Sequence, residues 1–214
     1  DRQKKMDSMA KQYGGKITSD IDKKNVYREI EKSLGSLDNE INIPSGLLPV
    51  VSFSENLTFN YNGEKIIVLH VPNAHTDGDV IVYFTKSNVL HTGDVFFNGT
   101  YPLIDTESRG SLKGYIAGLD KILTLINNGT KIIPGHGNLA TINDVQYTKS
   151  MFRFLTEKIA YHVVDNKTEE EVVAMSALTK EYDDKGFGEG SITTESFIRT
   201  LYKETAKKYH KKTK

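Results

Sequence analysis

The sequence predicts a layered α+β domain, a sheet laid down first and helices interleaved after it. Three observations carry this. Residues 57–71 and 80–92 hold two hairpin signals, the stretches after Ser111 and Asn143 show helical periodicity, and a short aliphatic strand, Lys131-Ile132-Ile133, lies between those helices. Such an order buries one face of the sheet under helices.

Residues 1–36 read as a helical lead-in. Met6, Met9, Ala10 and Tyr13 recur at helical spacing before Gly14-Gly15, and Lys16 to Thr18 is a short strand. Ser19 or Asp20 caps a second helix, with Val26, Tyr27, Ile30 and Leu34 on one face up to Gly35. Leu37 to Pro49, with two prolines and a glycine, is a connecting loop and the expected flexible segment. Residues 50–137 carry the hairpins. Leu57–Tyr61 and Glu64–Val71 flank Asn62-Gly63, a pair that tolerates the positive φ of a type I′ turn. Val80–Thr85 and Val89–Thr92 pair across Lys86-Ser87-Asn88.

Ser111 opens a helix with Leu112, Tyr115, Ile116, Leu119, Ile122, Leu123 and Ile126 on one face, stopped at Asn127-Asn128-Gly129. Lys131 to Ile133 ends at Pro134. Residues 138–214 are then helical: Asn143 to Val164 first, with Thr168-x-x-Glu171 as the capping box of the next helix. Gly186 to Gly190 reads as a flexible loop. Thr193 or Thr194 opens the last helix, with Phe197, Ile198, Leu201 and Tyr202 inward. No internal repeat breaks this into smaller units, so one domain over 1–214 is expected.

Bulk composition narrows the partners. The 214 residues suffice to bury a sizeable core. Lys plus Arg and Asp plus Glu number 28 each, so charge gives no argument for nucleic acid or an anionic membrane, and neither partner is expected. The basic end, Lys207 to Lys214, reads as a solvated, fraying helix tail. Absence of Cys excludes disulfides and thiolate metal sites. No apolar run approaches the roughly 20 residues that span a bilayer. No signal peptide begins at Asp1, and a chain opening without Met is expected to have lost its natural start.

Three strand-like runs end in turns that carry chemistry. Val71 leads into Pro72-Asn73-Ala74-His75-Thr76-Asp77-Gly78-Asp79, Leu90 into His91-Thr92-Gly93-Asp94, and Ile133 into Pro134-Gly135-His136-Gly137. Loops held by a rigid sheet are where binding groups tend to sit. His75, Asp94 and His136 are therefore expected to meet off the end of the sheet, as two imidazoles and a carboxylate able to ligate zinc, iron or manganese. Blander roles stand beside these: a loop His75 bonded to a carbonyl, a turn-forming Asp94, a His136 merely in a Gly-flanked turn. Asp77 and Asp79 are candidates to accept from a ligand imidazole's remote N–H, and Asp79 equally to cap the strand at Val80. His70 and His91, inside strand patterns, read as ordinary half-buried residues. Val95-Phe96-Phe97 forms an apolar wall. Asn98, Tyr101 and Asp105 are candidates to line a substrate groove, with Tyr101 equally a packing residue.

The segments His75-Thr-x-Gly-Asp, Thr92-Gly-Asp94 and Pro134-Gly-His136-Gly, in this order and each closing a strand, resemble the later metal-binding motifs of the metallo-β-lactamase superfamily. The resemblance runs from about Val50 to the C-terminus and includes Gly99-Thr-Tyr-Pro-Leu-Ile-Asp105. It looks closest to the general zinc-hydrolase branch, which keeps Asp at the position of Asp94 where some β-lactamases have Cys. It implies an αβ/βα sandwich, a small-molecule substrate, and one or two zinc ions, with His75 matching a ligand of the first metal, Asp94 the catalytic carboxylate that bridges the two, and His136 the last ligand of the second. It also implies hydrolysis of a lactam, ester, lactone or thioester by metal-activated hydroxide, and periplasmic or secreted location.

One departure governs the rest. The family's first motif, His-x-His-x-Asp-His, occurs nowhere in the sequence, nor do the strands that precede it. Asp1 with Arg2 falls where the motif would end, but Gln3-Lys4-Lys5 replace the expected Gly pair, and Asp1 is left out of the ligand set. The chain reads as the later two-thirds of the fold, truncated, with its N-terminal β layer incomplete and at most a two-His, one-carboxylate set for one metal. Three readings follow: a hydrolase whose N-terminal segment lies elsewhere, impaired as it stands; a non-catalytic metal-binding or scaffold homologue; or a homo-oligomer whose copies complete each other across exposed sheet edges.

Overall fold

The computed structural model describes residues 51–210. The predicted lead-in, the 37–49 loop, Asp1 and the last four residues lie outside them. Contacts divide the chain between Ser52 and Phe53, and the elements below belong to the second part.

Asn62 and Gly63 both take positive φ, 51° and 73°, the backbone a two-residue hairpin turn demands. They join β1 (Asn56–Tyr61) to β2 (Glu64–Val71) with Tyr61 opposite Glu64. β3 (Asp79–Phe84) returns antiparallel to β2, and β4 (Val89–Phe97) pairs with β3 after a turn in which Asn88 sits at φ 51°. β4 runs on to Phe97, past the predicted end at Thr92. The cause is β5 (Lys131–His136), which lies parallel to it and gives partners to Gly93 and Phe97. β5 likewise passes through Pro134; it is the last strand of the sheet among the described residues, a position where a residue without an N–H is tolerated. The sheet order is β1-β2-β3-β4-β5.

A parallel pair needs a crossover, and α1 (Leu112–Leu125) is it. Ser111 caps it by accepting from the Gly114 N–H at 3.0 Å, and its own hydroxyl donates to the Asn73 carbonyl at 3.0 Å. One side chain thus starts the helix and ties down the turn that carries His75. Ser111→Ala is expected to cost about 1 kcal/mol, read as a lower urea midpoint at unchanged slope.

The C-terminal helices are α2 (Ile142–Val164), α3 (Glu169–Val173), α4 (Lys180–Asp183) and α5 (Thr194–His210). Thr168 and Glu171 form the expected capping box, Glu171 N–H to Thr168 Oγ1 at 3.2 Å and Thr168 N–H to Glu171 Oε2 at 2.8 Å. The glycine-flanked stretch 186–190, expected to be a flexible loop, is a 3-10 turn over Phe187–Glu189. Phe187 is buried, with its ring 5.6 to 6.1 Å from those of Tyr101, Tyr182 and Tyr147. An aromatic anchor overrides glycine's freedom there.

The core lies between the helices and one sheet face. Val71, Ile81, Leu90, Val95 and Ile132 from the strands meet Tyr115, Leu119 and Ile122 of α1. Behind them Phe152 of α2 stacks on Tyr115 at 4.9 Å and meets Phe197 of α5 edge-on at 5.4 Å.

Candidate metal centre

β2 ends at Val71, and the turn after it is held from below. Asn73 adopts φ 57°, its carbonyl accepts from the Ser111 N–H at 3.0 Å, and Ala74 is fully buried. His75 is thereby aimed across the ends of β4 and β5. Its Nδ1 lies 2.9 Å from the Leu103 carbonyl, and its own carbonyl accepts from the Asp105 N–H at 2.9 Å. A carbonyl can only accept, so Nδ1 carries a proton and Nε2 is the nitrogen turned to the site.

Asp94 is placed by an irregularity in β4. The ladder with β5 slips on both sides of Gly93, which takes φ 51°, and a strand distorted in this way re-aims the side chain that follows. Gly135 on β5 leaves the room: a Cβ there would run into the Asp94 carboxylate and come within 2.7 Å of the Gly93 backbone. His136 closes β5, its ring 4.4 Å from that of Phe97.

The three side chains stand together. His75 Nε2 is 3.5 Å from Asp94 Oδ2, and His136 Nε2 is 3.6 Å from Asp94 Oδ1. Both separations exceed a good hydrogen bond. They fit another arrangement. Two donors bound to one zinc at about 2.0–2.1 Å and a tetrahedral angle stand roughly 3.4 Å apart. Each imidazole faces a different oxygen of one carboxylate, so the residues fit a metal in two pairs that share Asp94. Among the described residues no three such side chains close on a single point. This arrangement is the one expected of a bridging Asp94 with His75 and His136 on either side.

Other expectations fare differently. Asp77 and Asp79 do not stand behind an imidazole. Asp79 accepts from the Thr76 N–H at 2.9 Å and the Thr76 hydroxyl at 3.0 Å, tying the turn ahead of β3, while exposed Asp77 pairs with Arg109 at 3.2 Å. The group behind His75 is the Leu103 carbonyl, which no side-chain pattern reveals. His70 is half-buried as expected, with its ring nitrogens against the Ser54 and Asp77 carbonyls, but His91 is exposed and takes the Gly93 N–H on Nδ1. Asn98 does not line the cavity beside the site; its amide donates to the Asn138 carbonyl at 3.1 Å. Tyr101 lines it but is almost wholly buried, and its hydroxyl donates to Asp183 at 3.0 Å. Burial, then that carboxylate, push the phenol well above its ordinary range. Asp105 ties a turn through the Glu107 and Ser108 N–H groups, and the Ser108 bonds hold its carboxyl below the usual range. The cavity walls that sequence reading missed are Thr100, Leu103, Gly190, Ser191 and Ile192.

The profile of the metallo-beta-lactamase superfamily matches residues 10–138, more than half of the chain and all three of these side chains. The chain belongs to that superfamily. The match starts upstream of Val50, where the resemblance was expected to begin, and stops before α2. A metallo-beta-lactamase type 2 from Bacteroides fragilis is 20% identical over 104 residues, 49% of this chain and 42% of that one. Among solved structures, a sec-alkylsulfatase from a Pseudomonas species has a TM-score of 0.56 at 19% identity, covering 73% of this chain and 26% of that one. A metallo-beta-lactamase family protein from Thermus thermophilus has a TM-score of 0.52 at 17% identity, covering 77% and 50%. The metallo-beta-lactamase fold, an α+β architecture, is thus shared, and the chain spans half or less of these relatives' lengths.

Proposed function

We propose that this chain carries the later half of a zinc-hydrolase centre of the metallo-beta-lactamase superfamily, acting on a lactam, ester, lactone or thioester bond. The observation that supports it most is the single Asp94 carboxylate with one imidazole at each oxygen, at 3.5 and 3.6 Å. One or two zinc ions, when bound, would supply a water acidified toward neutrality and positive charge against the developing oxyanion. The chain's own part is to hold donors in place. Leu103 fixes the tautomer and tilt of His75, the distorted β4 aims Asp94, and Phe97 packs against the ring of His136. Each position draws two donors from the described residues, and a complete centre needs further ligands.

That shortfall favours a second reading, a homologue that binds metal or a partner without catalysis. Hydrolysis of nitrocefin and of a simple lactone, followed against added zinc, separates the two. Weak or no turnover by this chain alone, raised when a segment carrying the His-x-His-x-Asp-His motif is supplied and then removed by His75→Ala, is the expected result. Zinc uptake with neither substrate cleaved even then would favour the second reading.

A further inference from the structure

β1 is one edge of the sheet among the described residues. Its bonds to β2 fix which of its main-chain groups face outward. The His70 N–H donates to the Glu55 carbonyl at 2.9 Å, and opposed residues in an antiparallel pair alternate between bonded and unbonded. Leu57, Phe59 and Tyr61 therefore direct their N–H and C=O groups to β2, while those of Asn56, Thr58 and Asn60 point off the edge. Natural edges are commonly guarded by charge, proline or a bulge. β1, Asn56-Leu57-Thr58-Phe59-Asn60-Tyr61, has no charged residue and no proline, and its register with β2 is unbroken. Phe59 is 43% exposed and Tyr61 72%.

We propose that β1 pairs antiparallel with β1 of a second copy of this chain, about a two-fold axis through Thr58. The strand reads nearly the same in both directions about that residue, which is what a self-complementary contact requires. Asn56 faces Asn60 of the second copy, Leu57 faces its Phe59, and Thr58 faces Thr58. All the outward residues then fall in bonded pairs, and the Leu57–Phe59 contacts between them place apolar side chains on one face of the joined sheet. A centre at Phe59 loses one bonded pair at each end, because Asn56 would face Asn62, which lies in the turn at φ 51°. About Thr58, Glu55 faces Tyr61, so no like charges meet. β4 and β5, with the candidate ligands, lie at the far end of each sheet from the join.

The full chain has no Cys, so single cysteines read the register by cross-linking. Facing Cα atoms in a bonded pair stand about 5.5 Å apart, within reach of a disulfide, whereas Asn56 and its own counterpart stand about 14 Å apart. Thr58→Cys is expected to oxidise to a covalent dimer at least about tenfold faster than Asn56→Cys or Asn60→Cys alone, and those two, mixed, to cross-link to each other. Sedimentation of the unaltered chain is expected to show a mass that rises with concentration. Thr58→Pro is expected to weaken dimerisation at least about tenfold; the Thr58 N–H points outward, so proline removes no bond to β2. A mass that stays monomeric at every concentration, whatever covers the edge, overturns the proposal. So does Thr58→Cys cross-linking no faster than Asn56→Cys, or Thr58→Pro, shown folded by its melting curve, dimerising as the unaltered chain does.

Discussion

Asp94→Asn is expected to weaken zinc binding by at least about a hundredfold and to abolish any zinc-induced rise in melting temperature. The Asn side chain keeps the shape of the carboxylate and so the packing against Gly135, but loses the charge and one of the two acceptor oxygens. Altering even a residue behind a ligand commonly costs 10- to 100-fold in metal affinity, and a shared ligand should cost more. Because each oxygen faces its own imidazole, both positions fail together. His75→Ala and His136→Ala remove one pair each and leave the other. Calorimetry on the three variants checks this ordering. Asp94→Asn no worse than either His variant would mean that the carboxylate is not shared. A ligand bound at a hundred times its Kd stabilises by about 2.7 kcal/mol, so the melting readout is well above error.

Phe152→Ala is expected to be the most damaging substitution for stability, by about 3–5 kcal/mol. Phe152 is fully buried, stacked on Tyr115 of α1 and edge-on to Phe197 of α5, so its loss opens a void where three helices meet. Against a typical domain stability of about 5–15 kcal/mol, this should lower the melting temperature by about 10 °C or more. A fall of only a few degrees would mean that α2 and α5 close the gap by moving together.

These residues also separate what was readable in the sequence from what was not. The first hairpin was legible because Asn62-Gly63 is a local signal with a local consequence, and the Ser111 cap and the Thr168–Glu171 box were legible for the same reason. The ends of β4 and β5 were not. Gly93 and Pro134 look like strand breakers in isolation, and only their mutual pairing carries both strands onward. Phe187 makes the same point at 186–190, where a contact partner distant in sequence decides the conformation. At the site, convergence of His75, Asp94 and His136 was readable because strand ends on one sheet edge leave few places for side chains to go. The sharing of Asp94 between the two imidazoles followed from the family resemblance alone, while the slip at Gly93 that aims the carboxylate was not readable. Nor was the Leu103 carbonyl, because a main-chain acceptor leaves no trace in residue type. The carboxylates nominated for its role, Asp77 and Asp79, were drawn into local turn and surface contacts instead.

The most direct measurement is X-ray absorption at the zinc edge on the zinc-loaded full chain. The account predicts an average of about one imidazole per zinc, with the remaining first-sphere scatterers oxygen at about 2.0–2.2 Å. An average of two imidazoles on a single zinc, or none at all, would contradict the shared-carboxylate arrangement on which the proposed function stands.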